Sequence, residues 1–222
     1  MKKWNRVEAV ATPDKSVLAL FEHDGEYVLR VNGRELMSTR RHASELRLGE
    51  LGGDAARNRA GARVLVGGLG LGFTLRGALG RLGGDARVVV AELMAEVVAW
   101  NRNPGYPLAH AELADPRTEV VIGDVYEVIA RSPGGFDAIL LDADNGTTAM
   151  MTAGNRQLYE KQGVMRVLAA LRPGGTAIYW SAGPEPRFAR LMEACGFQVK
   201  VEYVRAYGVG GPKHTLLIGK RA

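Results

Sequence analysis

The chain reads as an α/β protein. Its sheet is predicted to be mostly parallel, with seven strands and an antiparallel C-terminal strand, behind a small N-terminal antiparallel β-meander. Three observations predict this. From Arg63 to Trp180, strand-like and helical runs alternate. The strand-like runs, such as "RVVVAEL" and "FDAILLDAD", are continuously apolar, as strands covered on both faces must be. The first forty residues instead hold short runs divided by turn residues, including Asn32-Gly33, whose tolerance of positive φ suits a tight type I′ hairpin.

The elements follow in order. Strands are predicted at Ser16–Phe21, Glu26–Val31 and Arg34–Ser38, with a turn at His23-Asp24-Gly25. A helical pattern from His42 to Asn58 carries Leu46, Leu48, Leu51 and Ala55, and Gly52-Gly53 is expected to interrupt it. Then come strand Arg63–Val66, helix Phe73–Leu82, strand Ala86–Ala91, helix Ala95–Asn101 and an irregular Pro-containing stretch. Strand Glu119–Ile122, helix Val125–Arg131 and strand Phe136–Leu141 follow, then helix Tyr159–Leu171, a turn at Pro173-Gly174-Gly175 and strand Thr176–Trp180. Helix Phe188–Cys195 precedes two final strands, Phe197–Tyr203 and His214–Ile218, joined by a Gly-rich loop whose Tyr207–Pro212 segment is a candidate lid. The expected division is residues 1–41 for the meander and 42–222 for the α/β domain.

Bulk properties narrow the function. The 46% hydrophobic and 24% charged composition is that of a globular domain, and 222 residues bury a sizeable core. No apolar stretch reaches 18 residues, and Met1-Lys2-Lys3-Trp4 leads into no apolar signal segment, so no membrane partner is expected. The single cysteine, Cys195, excludes an internal disulfide, suits a cytoplasmic location and reads as a small core residue. The net charge of +5 comes mostly from arginines scattered along the chain, without interleaved aromatics, so no nucleic-acid partner is expected. His23, His42, His110 and His214 show no metal-ligand spacing, and no metal is expected.

Chemistry concentrates in "VLVGGLGLGFT", residues 64–74, a glycine-dense turn between a strand and a helix. Such a turn lets a ligand rest on backbone N–H groups above the C-terminal edge of a sheet. The dinucleotide fingerprint G-x-G-x-x-G fails, because its last position falls on Phe73 or Leu75. The spacing present, G-x-G-x-G through Gly68, Gly70 and Gly72, resembles the first motif of the class I S-adenosylmethionine-dependent transferases, with a Rossmann-like fold. Glu92 ends the next strand, 22 residues after Gly70, where a carboxylate can accept both hydroxyls of a ribose. Asp124 ends the third strand in "VVIGD"; the resemblance to those transferases implies that an acid there meets an adenine amino group, and Asp124 can cap the following helix instead or as well. With the adjacent Leu93 and Val125, these residues form the expected nucleoside site.

Asp142 stands at the tip of the fourth strand, beside the expected transfer point. Through "GGLGLG", "VVVAEL", "VVIGD", "DADNG" and "LRPGG", with the meander in front, the chain resembles the spermidine synthase (polyamine aminopropyltransferase) family from about Leu18 to Gly175. The resemblance implies that Asp142 holds an acceptor amine and helps take its proton, because an alkylammonium must lose a proton before it can attack. It further implies a donor that is S-adenosylmethionine or its decarboxylated form, a small-molecule acceptor such as a polyamine, and a homodimer. Asp144, Asn145 and Tyr159 are the expected acceptor contacts.

The departures are specific. Gly70 stands where the family has an aspartate for the donor's free amine, and Asp142-Ala143-Asp144-Asn145-Gly146 replaces Asp-Ser-Ser-Asp-Pro. The family's glutamine after the hairpin is replaced around Leu36–Ser38, and its tyrosine by Ala43 or a neighbour. Metal-independent methyl transfer and non-catalytic nucleoside binding therefore remain alternatives. A metal-dependent methyltransferase is disfavoured, because the tip of the next strand, Tyr179-Trp180-Ser181-Ala182-Gly183, has no carboxylate. Trp180, with Tyr159 and Tyr179, reads either as an acceptor-pocket wall or as core.

Overall fold

The computed structural model describes residues 3–142 and 156–222. The N-terminal sheet has four antiparallel strands in sequential order: β1 (Asn5–Ala11), β2 (Val17–His23), β3 (Glu26–Val31) and β4 (Arg34–Ser38). The first of them has no counterpart in the expected three-stranded meander. Strand β1 is an edge strand with mostly exposed side chains and a register shift between Arg6 and Glu8, so its sequence lacks an apolar alternation to betray it. The β3–β4 hairpin turns at Asn32 and Gly33, both at positive φ, as their sequence predicts.

The second sheet follows helix α1 (Ala43–Ala56) and comprises β5 (Arg63–Gly67), β6 (Arg87–Glu92), β7 (Thr118–Ile122), β8 (Phe136–Leu141), β9 (Leu171–Ser181), β10 (Phe197–Arg205) and β11 (Lys213–Arg221). Their spatial order is β10-β11-β9-β8-β5-β6-β7. The pairs β5–β6, β6–β7, β5–β8 and β8–β9 are parallel, and only β11 runs against its neighbours. The connecting helices are α2 (Phe73–Leu79), α3 (Ala95–Arg102), α4 (His110–Ala114), α5 (Val125–Ala130), α6 (Lys161–Ala170) and α7 (Pro186–Ala194). The expected α/β fold, with its seven strands and reversed C-terminal strand, is present.

Strand pleating divides the core. Val64, Val66, Val88, Val90, Leu140 and Trp180 point to one face, where they meet α1, α2, α3 and the inner side of the N-terminal sheet. Leu65, Val89, Ile139, Leu141 and Tyr179 point to the other, against α5, α6 and α7. Both faces are buried, which is why these strands read as continuous apolar runs.

Local corrections have local causes. Helix α1 is not interrupted at Gly52-Gly53. A Cβ on Gly49 would collide with the backbone oxygen of Thr74, and one on Gly52 with the Leu140 side chain, so the glycines let α2 and β8 press against α1. The irregular stretch contains helix α4. The Pro173-Gly174-Gly175 segment lies within β9: Leu171 pairs with Phe136 and Thr176 with Ala138, leaving the extra residues in a bulge with Gly174 at φ +71°. Helix α6 accordingly starts at Lys161 and ends at Ala170, inside the expected range.

The scattered arginines anchor backbone. Arg117 donates to the carbonyls of Leu79 and Leu82 while pairing with Asp115, and Arg221 donates to those of Leu168 and Leu171. Asp137, buried in β8, is held by Arg59 at 3.0 Å, by Arg172 at 2.8 Å and by the backbone N–H of Arg63. Its charge is thereby compensated, as a buried carboxylate requires.

Candidate functional site

Strand β5 has β6 on one side and β8 on the other, so the chain leaves it in opposite directions and opens a crevice at its C-terminal end. A cavity of about 120 Å³ lies there. Gly68 and Gly70 line it from the β5–α2 loop, Glu92 and Leu93 from the end of β6, Asp124 and Val125 from the end of β7, and Asp142 from the end of β8. Its opposite wall comes from the N-terminal sheet: Asp14 in the β1–β2 turn, Leu18, Leu29, Leu36 and Met37.

Glu92 ties two backbone segments together. One carboxylate oxygen accepts the N–H of Leu69 in the glycine loop, and the other that of Met94 before α3, both at 2.8 Å. Burial holds its pKa above the usual carboxylate value, against these backbone hydrogen bonds. A carboxylate oxygen accepts more than one donor, so hydroxyls from the cavity side can still be received. Asp124 caps α5, its Oδ1 accepting the N–H of Tyr126 at 2.9 Å, and at the same time lines the cavity.

The loop glycines divide their work. Gly68, Gly70 and Gly72 have φ of +94°, +52° and +83°, a region that favours glycine. Gly72 is not among the cavity-lining residues; it is the N-cap of α2, where an added Cβ would strike Ala109. At Gly70 the place of a Cβ is taken by Met37, whose Sδ also accepts the N–H of Leu71 at 3.2 Å. The sequence position that lacks an acid is therefore faced by a thioether.

Asp142 is half-buried and its Oδ2 accepts the hydroxyl of Thr74 at 3.0 Å. Burial pushes its pKa up to about 6. Behind it lies Glu45 on α1, buried with 5% exposure and pushed up to about 7 by burial and by the negative charge of Asp142. Ser44, fully buried, contacts Glu45, His214 and Trp180. Sequence reasoning missed Met37, Asp14, Ser44, Glu45 and Thr74, because their importance comes from contacts across elements far apart in the chain. Tyr159 does not line the cavity. Its ring packs against Tyr179 and Phe188, with centroids 5.5 and 5.1 Å away, on the far face of the sheet. Asp144 and Asn145 lie outside the described residues.

Among the described residues, no group of three or more His, Cys, Asp or Glu is arranged to hold a metal ion, and no helix is long and apolar enough to cross a membrane.

No family model matches the sequence, and no curated protein matches it. Solved structures do match the fold. A spermidine synthase in complex with the transition-state analogue AdoDATO superposes with a TM-score of 0.78 at 17% identity, covering 98% of this chain and 73% of that one. Spermidine synthase from Thermotoga maritima gives 0.76 at 17% identity with the same coverage. A probable spermidine synthase from Corynebacterium glutamicum ATCC 13032 gives 0.64 at 18% identity, covering 99% of this chain and 81% of that one. From the N-terminal antiparallel sheet to the reversed strand β11, the chain has the spermidine synthase-like fold.

Proposed function

We propose that this protein is a transferase that moves an alkyl group from an S-adenosyl donor to a small-molecule amine, with aminopropyl transfer to a polyamine-type acceptor as the first reading. The observation that carries it is the convergence of Gly68, Gly70, Glu92, Asp124 and Asp142 on one cavity at the C-terminal edge of the parallel strands. The likeness in fold to a spermidine synthase in complex with AdoDATO supports it.

In this reading Glu92 receives the ribose hydroxyls, Asp124 the adenine amino group, and Leu93 and Val125 flank the nucleoside. Asp142 holds the acceptor ammonium, takes one of its protons and leaves a neutral amine. The amine lone pair then attacks the carbon next to the sulfonium, and the carbon–sulfur bond breaks to give a neutral thioether. Asp144 and Asn145 belong to the proposed acceptor side, and the enzyme acts as a soluble cytoplasmic homodimer with the 1–41 meander as its accessory unit.

Methyl transfer from intact S-adenosylmethionine is the second reading, and the pairing of Gly70 with Met37 favours it. An uncharged thioether neither attracts a lone ammonium nor repels the carboxylate of the intact donor. Calorimetric titration of the full chain with S-adenosylmethionine and with its decarboxylated form tests both. Tighter binding of the decarboxylated donor supports aminopropyl transfer, and tighter binding of the intact donor supports methyl transfer. Binding of neither overturns the nucleoside site.

A further inference from the structure

Ser44 Oγ meets three side chains: Glu45 Oε2 at 2.5 Å, His214 Nδ1 at 2.7 Å and Trp180 Nε1 at 3.1 Å. An indole N–H only donates, so Trp180 occupies one lone pair of the hydroxyl. One O–H remains to be given and one lone pair to be filled. Two arrangements satisfy all the partners. With Glu45 ionised, Ser44 donates to Glu45 and the Nδ1–H of His214 donates to Ser44. With Glu45 protonated, Glu45 donates to Ser44, whose O–H points at a bare Nδ1. Passing from the second to the first carries a proton from Glu45 to His214 without displacing a heavy atom.

The inner end of this chain is coupled to Asp142. Thr74 Oγ lies 3.0 Å from Asp142 Oδ2 and 3.3 Å from the backbone oxygen of Glu45, tying the tip of β8 to α1. Glu45 is faced by Asp142, Ser44 and Arg41, and His214 by Ser44, the Trp180 ring at 4.7 Å and Arg41. Asp142 shares its cavity with Asp14, Glu92 and Asp124. The outer end, His214, is half-buried on β11 close to the β10–β11 loop.

We propose that Glu45, Ser44 and His214 form a compensating proton relay, which releases a proton to solvent when Asp142 takes one up. This rests on the reading of Asp142 as the group that receives the acceptor's proton. Before transfer the acid pair holds one proton, on Glu45, and Asp142 is ionised. When Asp142 takes a proton from the ammonium, its repulsion of Glu45 ceases. Glu45 then gives its proton to Ser44, Ser44 gives its own to Nδ1 of His214, and the proton on Nε2 leaves to solvent. One proton enters and one leaves, and the pair keeps a single negative charge. After product release Asp142, which lines the cavity, gives its proton to solvent there, and Glu45 regains one along His214 and Ser44 in reverse. Glu45 and His214 are thus positioning and proton-carrying residues rather than groups that touch substrate.

The test is the tautomeric state of His214, read by ¹⁵N NMR of the full chain without substrate between pH 5 and 8.5. Its neutral form is expected to change from Nε2–H to Nδ1–H as Glu45 ionises. Asp142→Asn is expected to shift that change down by roughly one pH unit, and Ser44→Ala to abolish it. A His214 that keeps one tautomer throughout, or whose change ignores Asp142→Asn, overturns the proposal, and the latter variant serves if Ser44→Ala does not fold. Because no donor is present, this result is independent of the calorimetric test of the S-adenosyl site: failure there leaves the tautomer measurement standing, and the reverse also holds.

Discussion

Met37 lies over Gly70: its sulfur accepts the N–H of Leu71 at 3.2 Å and occupies the space a Cβ on Gly70 would need. Two independent costs therefore attend Gly70→Ala, the φ of +52° and the collision with Met37. The substitution is expected to destabilise by about 1–3 kcal/mol. In a Met37→Ala background the collision disappears and only the backbone cost remains. Chemical denaturation of the four proteins of this double-mutant cycle measures the coupling, and strict additivity would refute the contact.

Glu92 joins the glycine loop to the β6–α3 turn, so its removal leaves the N–H groups of Leu69 and Met94 without their carboxylate partner. Glu92→Ala is expected to lower stability by about 2–4 kcal/mol and, if the proposed function holds, to abolish detectable binding of the S-adenosyl donor. Glu92→Asp, with a carboxylate one methylene shorter, should lose less of both. Unfolding curves and calorimetry on the same samples check this.

Asp124 is assigned two roles that can be separated. Asp124→Ala should cost about 1 kcal/mol of stability through loss of the α5 cap, whereas Asp124→Ser should restore most of it. If the acid also receives an adenine amino group, nucleoside affinity stays weakened in both variants. Recovery of affinity in Asp124→Ser would reduce Asp124 to a cap.

Glu45 and Asp142 make stability fall as pH rises. Both have folded-state pKa values above their ordinary ones, about 7 against 4.5 and about 6 against 3.8, so the folded chain binds more protons than the unfolded chain in between. Their stabilising contribution is complete below about pH 4 and is lost as pH passes 6 to 7. Paired carboxylates with depressed pKa values, Glu50 and Asp115, act in the opposite sense at low pH. The informative quantity is therefore the difference between wild type and Glu45→Gln. The advantage of the variant should grow between pH 4.5 and 7 by on the order of 2 kcal/mol. Thermal unfolding across that range measures it, and a flat difference would count against the coupled pair.

Much of the cavity lining at the strand ends was legible in the chain. Gly68, Glu92, Asp124 and Asp142 each close a strand that an apolar run announces, and a parallel sheet necessarily aligns such ends along one edge. Gly72 was legible as a glycine but not in its place, because φ and the nearness of Ala109 are set by packing. Tyr159 reads as a pocket wall only while the side of the sheet it covers is unknown. Strand β1 was invisible because an exposed edge strand needs no apolar alternation.

The sequence by itself determined the order of the strands of the second sheet, the burial of both its faces and the acids at the strand tips. Those features follow from local periodicity and from residues that punctuate it. Only the tertiary structure decided that Met37 stands against Gly70, that Asp137 takes two arginines, and that Ser44 links Glu45 to His214 across 170 residues. Such contacts arise when separate elements pack. A buried polar group must then find its partner in space, and nothing along the chain marks which residue that will be.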